Sequence, residues 1–96
     1  MDLRLLLASS VRQKILKVLA EKHELQVMKL ANSVGTTYNE LNRNLLILEK
    51  EGIIINEYRV KVRRGKVRIL RLNKENPKTE VLISALKMLD QEIILR

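Results

Sequence analysis

The sequence contains no cysteine, tryptophan or phenylalanine, and only one histidine and one proline. Without cysteine there can be no disulfide, no thiolate metal site and no cysteine nucleophile. Tyr38 and Tyr58 are the only aromatic residues, so the core has to be built from Leu, Ile and Val. No apolar run approaches the ~20 residues of a membrane span. Leu3–Ala8 is too short for a signal peptide and lacks a cleavage pattern. A soluble, cytoplasmic protein is expected. His23 stands alone in a polar stretch and reads as a solvated residue rather than a metal ligand. No serine has a neighbour arrangement that would activate it, Glu49 and Glu51 lack a partner carboxylate in an evident cleft, and there is no Gly-rich phosphate loop. The expectation is a protein that is not an enzyme and needs no metal or cofactor.

The chain of 96 residues is the length of one domain with one modest core. Its formal net charge is +8, and the excess is concentrated. Residues 53–72 hold seven cations (Arg59, Lys61, Arg63, Arg64, Lys66, Arg68, Arg71) against Glu57 alone, which gives +6 in one short segment. Such a patch is the electrostatic footprint of a polyanion ligand.

Local patterns divide the chain. Leu3, Leu5, Leu6 and Leu7 are too few to stand alone and must pack on the body or on a partner chain. Ser9 or Ser10 caps a helix over about 10–22, and Ser10 with Gln13 fits a capping box. Val11, Ile15, Val18 and Leu19 recur on its inner face. Lys22–Leu25 reads as a loop or a short extended piece. A second helix over about 27–34 turns Leu30, Ala31 and Val34 inward and stops at Gly35. Thr37, with Glu40 three residues later, opens a third helix that runs to Gly52. On it Leu41, Leu45 and Leu48 form one face, and the opposite face carries Asn39 and Arg43, with Glu40 and Ile47 nearby. Asn and Arg are the side chains that pair bidentately with adenine and guanine edges. After Gly52 the period changes: the run from Ile53 to Arg63 is rich in β-branched residues, and from Tyr58 apolar and basic residues alternate. Arg64-Gly65 supplies a turn and Lys66–Leu72 a returning strand, which makes a β-hairpin with a basic tip. Asn76-Pro77 starts a last helix, along which Leu82, Leu86, Leu89 and Ile93 make a heptad-like seam.

The order helix, helix, tight turn, helix, basic hairpin is that of a winged helix-turn-helix. Three runs resemble the ArsR/MarR-like winged-helix transcriptional regulators of bacteria and archaea: Ala8-Ser-Ser-Val-Arg-Gln-Lys-Ile-Leu, Leu30-Ala-Asn-Ser-Val-Gly-Thr-Thr, and Leu41-Asn-Arg-Asn-Leu-Leu-Ile-Leu-Glu-Lys-Glu-Gly-Ile. The resemblance implies an α+β, mostly α fold, with a three-helix core, a two-stranded β-wing and a C-terminal dimerisation helix. Residues 1–96 would form a single domain, with 9–72 the winged core and 76–96 the dimerisation helix. It also implies that Tyr38, Asn39, Asn42 and Arg43 lie at the major groove and that Arg63, Arg64 and Lys66 lie at the flanking minor groove or phosphates; Thr37, at the start of the same helix, is a further DNA-binding candidate. The helical face count independently favours Asn39 and Arg43, puts Asn42 at the side, and puts Tyr38 near the buried face.

Arg68 joins the wing cations because crowding Arg63, Arg64, Lys66 and Arg68 into one turn costs self-repulsion without an obvious gain in stability. Metal-sensing members carry paired thiols where this chain has Gln26 and Met28, so that site is excluded here, and Met28 reads as a packing residue. Asp90 and Glu92 lack the histidine that a carboxylate–histidine site on the last helix would need.

The expected function is sequence-specific binding of double-stranded DNA by a homodimeric transcriptional regulator, a repressor. Helix 38–51 would read the major groove, the basic wing 59–71 would contact the flanking backbone or minor groove, and Leu82, Leu86, Leu89 and Ile93 would form the dimer interface. Two alternatives use the same fold differently. One is a protein-interaction adaptor in a transcription, replication or RNA-processing assembly, and the other is a nonspecific, chromatin-like DNA binder.

Overall fold

The computed structural model describes residues 3–61, 63 and 65–95, except for the side chains of 91–95. Of the residues singled out above, Arg64 and the side chains of Glu92 and Ile93 lie outside that description. The element order is α1 (Leu3–Leu6), α2 (Ser10–Lys22), β1 (Glu24–Gln26), α3 (Val27–Val34), α4 (Tyr38–Lys50), β2 (Ile54–Lys61), β3 (Gly65–Leu72) and α5 (Pro77–Leu95). The four longer helices fall within one residue of the spans that the apolar spacing predicts.

Local chemistry sets the ends of these helices. Ser9, in extended conformation, is the N-cap of α2, and its hydroxyl accepts from the Arg12 N–H. The Ser10–Gln13 box does not form, because Ser10 is already helical and the Gln13 amide donates to the Leu7 carbonyl. Thr37 caps α4 through the Glu40 N–H at 3.2 Å. Glu40 completes no reciprocal box; its carboxylate accepts from the Thr36 hydroxyl instead. At the other end of α4, Gly52 has φ 73°. The Ile53 N–H reaches the Leu48 carbonyl and the Gly52 N–H the Glu49 carbonyl, both at 2.9 Å, which is a Schellman ending that a Cβ would strain. Asn76 fastens α5 to this point. Its amide donates to the Glu51 and Gly52 carbonyls while its Oδ1 accepts from the Lys78 N–H.

The sheet has three strands rather than two, in the order β1-β3-β2, all antiparallel. The added strand is the three-residue piece Glu24–Gln26, which pairs with Arg71, Leu70 and Ile69. It is too short to show a period of its own, and it forms because β3 offers it an open edge.

The core lies between α2, α3, α4 and the root of the sheet. Ile15, Leu16 and Leu19 of α2 meet Leu30 and Val34 of α3, Leu41, Leu45 and Leu48 of α4, Ile53 just before β2, and Leu70 and Leu72 of β3. A fully buried Leu contributes ~1.5–3 kcal/mol by transfer from water, so this aliphatic set replaces the missing aromatics. Leu6 of α1 belongs to the same core, so the N-terminal leucines pack at least partly on the body. Met28 is 50% exposed on α3 and is not a packing residue, contrary to the expectation for it.

The last helix corrects the seam. Leu82 and Leu86, 0% and 3% exposed, lie in the chain's own core, whereas Leu89 is 42% exposed. A Lys17–Asp90 ion pair at 2.8 Å ties α2 to the same side of α5. Leu82 and Leu86 are therefore already covered and offer nothing to a second chain. Among the described side chains of this helix, Val81, Met88 and Leu89 are the exposed large apolar ones.

Candidate nucleic-acid interface

The helix-turn-helix is α3, a turn at Gly35 (φ 76°), and α4. The Gly35 N–H closes α3 on the Ala31 carbonyl at 2.9 Å, and the chain then re-enters a helix at Thr37. This turn fixes α4 with Leu41, Asn44, Leu45 and Leu48 inward. Tyr38, Asn39, Arg43 and Leu46 are exposed. Asn39 and Arg43 share the open face, as their spacing predicts. Tyr38 lies at the open N-terminal end and not against the core. Thr37, also exposed, uses its hydroxyl as the cap.

Ile47 is half-buried against the core and does not belong to the outer face. Leu46 does, at 47% exposure. Asn39, Arg43 and Leu46 follow one another at i, i+4 and i+7, so the helical period carried this signal. An apolar side chain in a polar row can contact a thymine methyl.

The wing is placed by its strand register. Tyr58 faces Arg68 and Val60 faces Lys66 across β2 and β3, so these four share one side of the sheet. That side faces α4, because the Arg68 guanidinium reaches the helix. Its Nη1 donates to Asn42 Oδ1 at 2.8 Å and its Nε to Asn56 Oδ1 at 2.7 Å. Asn42 and Arg68 thus meet each other at the junction of helix and wing. Lys66 is exposed nearer the tip on the same side, and Arg63 is exposed at the turn with φ 77°.

Not every cation of the segment is available to a ligand. Arg59, on the opposite side of the sheet, is held by two carboxylates: Glu57 at 2.8 Å on its own strand and Glu24 at 2.6 Å on β1. Because β3 lies between β1 and β2, this side chain straps the full width of the sheet on the side where Val67 and Ile69 are buried. The Arg59 guanidinium holds the Glu24 carboxyl below its ordinary value, chiefly through their hydrogen bonds, and the two carboxylates raise Arg59 further. Residue type alone could not separate this structural arginine from its neighbours; the signal was Glu57 two residues before it on the same strand face.

Beneath α4 a second polar junction joins it to the N-terminus. Asn44, 8% exposed, donates to the Glu40 carbonyl and accepts from Arg12 Nη1 at 3.1 Å and from the Ser9 hydroxyl at 3.4 Å. Arg12 also donates to the Leu5 and Leu6 carbonyls at 2.8 and 3.1 Å, capping α1. The helical pattern alone puts Arg12 on an outward face and gives Asn44 no role.

Among the described residues, no group of three or more His, Asp or Glu side chains could hold a metal ion, and no helix is long and apolar enough to cross a membrane.

No protein-family model matches the sequence, and no curated protein matches it. Solved structures do. A homodimeric winged helix-turn-helix DNA-binding domain from Mycobacterium bovis, described as a possible ArsR-family transcriptional regulator, superposes with a TM-score of 0.74 at 21% identity, over 98% of this chain and 81% of that one. The transcriptional repressor BigR from Xylella fastidiosa gives 0.74 at 21% identity, over 94% of this chain and 82% of that one. The AntR antimony-specific transcriptional repressor gives 0.71 at 23% identity, over 94% and 76%. The chain has the winged helix-turn-helix fold, with an added strand in its wing and a long helix after it.

Proposed function

We propose that this chain is a transcriptional regulator that binds duplex DNA sequence-specifically as a homodimer, reading the major groove with α4 and contacting the flanking backbone or minor groove with the wing. The observation that carries this reading is the two-sidedness of α4. Leu41, Leu45 and Leu48 are fully buried, while Asn39, Arg43 and Leu46 form an open row beside a wing whose exposed cations include Lys66 and Arg63. A purely structural helix would not need base-reading side chains aligned there, and an adaptor would not need the positive wing. Lys66 and Arg63 supply the sequence-independent attraction, and Asn39 and Arg43 the discrimination.

The proposed dimer uses the exposed residues of α5, Val81, Met88 and Leu89, in place of Leu82 and Leu86. That a Mycobacterium bovis domain of the same fold is homodimeric supports a dimer as such. Two recognition helices would then lie about one DNA turn apart, near 34 Å, on a roughly palindromic site. Repression follows the repressors among the structural neighbours.

Selection from random duplex DNA in the presence of nonspecific competitor tests the reading. It should enrich a two-fold symmetric site. Binding without enrichment would favour a chromatin-like role, and absence of binding would favour an adaptor.

A further inference from the structure

The guanidinium of Arg68 stands where the wing meets the recognition helix, and its partners are unusual for a cation in so basic a segment. It takes two neutral amide oxygens, Asn42 Oδ1 on α4 and Asn56 Oδ1 on β2, at 2.8 and 2.7 Å. No carboxylate among the described residues pairs with it. Asn56 precedes Tyr58, the cross-strand partner of Arg68, by two residues on the same strand face. One planar fork thus spans from β3 to β2 on one side and to α4 on the other. Beyond Asn56 the strands run on toward the exposed Val60 and Lys66, away from the body of the domain.

We infer that Arg68 is a positioning residue: it locks the wing to the recognition helix through Asn42 and Asn56, and so fixes before binding the offset between the wing's backbone contacts and the bases read by α4. The functional half of this inference rests on the DNA-binding reading above. Two properties of the guanidinium suit it to this work. Its rigid fork holds two acceptors in one plane, which an ammonium on a flexible stem cannot do. Its charge, uncancelled by any carboxylate among the described residues, also adds to the positive field where the wing meets α4. Asn42, in turn, is the acceptor of a structural bond rather than a free reader of bases.

The test compares Arg68→Lys, Arg68→Met and Asn56→Ala with the unsubstituted chain. In the free protein, residual dipolar couplings of β2 and β3 amides should share one alignment with those of α4, and all three variants should scatter the wing couplings while leaving the helix couplings in place. On the selected DNA site, the variants should lose about tenfold in preference over random DNA, the scale of one charge-assisted hydrogen bond. Hydroxyl-radical footprints should lose or blur the wing protections and keep those under α4. Arg68→Lys should keep the salt dependence of binding, and Arg68→Met should lower its slope by well under the about 0.9 of a lost phosphate contact. Unchanged couplings and footprints in all three variants would overturn the strut, as would full function in Arg68→Lys, which would make Arg68 a simple phosphate contact. Failure of the unsubstituted chain to bind DNA would overturn the interface reading instead, while the couplings would still decide whether Arg68 locks the wing.

Discussion

Arg12 Nη1 donates to Asn44 Oδ1 at 3.1 Å, joining the first full helix to the buried side of α4. The same guanidinium holds the Leu5 and Leu6 carbonyls, so α1, α2 and α4 meet at one side chain. Removing Asn44 with Ala leaves an Arg12 donor and the Ser9 hydroxyl without their acceptor. Asn44→Ala should cost about 1–3 kcal/mol in urea unfolding. Arg12→Met should also free α1, seen as faster amide exchange of α1 and of the turn after it. A cost under a few tenths of a kcal/mol would mean that the junction contributes nothing to stability.

The Arg59 strap predicts a pH effect with a definite sign. The Glu24 carboxyl titrates below its ordinary value in the folded protein, so the ion pair contributes stability above the unfolded-state value and loses it as pH falls through the folded-state one. In Arg59→Gln, Glu24 should return toward the ordinary glutamate range, read by carboxyl carbon chemical shifts across an acid titration. A Glu24 midpoint unmoved by this change would show that the strap is absent in solution.

The sequence disclosed most of the framework and less of the chemistry. Helices α2 to α5 were legible from their apolar spacing, helped where an end is marked, as by Thr37 and Gly52 on α4. β1 was not, since three residues carry no period and its existence depends on the edge of β3. The outer face of α4 was legible at Asn39 and Arg43, and Leu46 was missed although it continues the same row. Glu57 hints at the role of Arg59, but Arg59, Arg68 and Arg12 are settled by partners 35, 26 and 32 residues away: Glu24, Asn42 and Asn44. In the last helix a heptad pattern satisfies an intrachain and an interchain contact equally well. Only the placement of α5 on α2 assigns Leu82 and Leu86 to the first.

That assignment separates two kinds of substitution on α5. Leu86→Ala should destabilise the fold by about 2–5 kcal/mol, as for a buried leucine. Met88→Glu with Leu89→Glu, on the exposed side, should leave the thermal midpoint of dilute protein nearly unchanged and convert dimer to monomer in sedimentation at micromolar concentration. A monomeric unsubstituted chain would remove the proposed interface.

The proposed role of the exposed wing cations is contact with phosphate. Arg63→Ala with Lys66→Ala should weaken binding to every duplex. The slope of log K against log salt should fall by about 0.9 for each phosphate that is no longer neutralised. Arg59→Gln should leave that slope nearly unchanged, because Arg59 is already paired with Glu24 and Glu57. An equal effect in both variants would mean that the strap opens on DNA.

Base reading by α4, as proposed, turns chiefly on Arg43. Equilibrium titration of the unsubstituted chain and of Arg43→Ala against the selected site and against a scrambled duplex, at one salt concentration, measures it directly. Arg43→Ala should lose about 1–3 kcal/mol on the selected site and little on the scrambled one. Equal losses on the two duplexes, or none on either, would contradict base reading by α4.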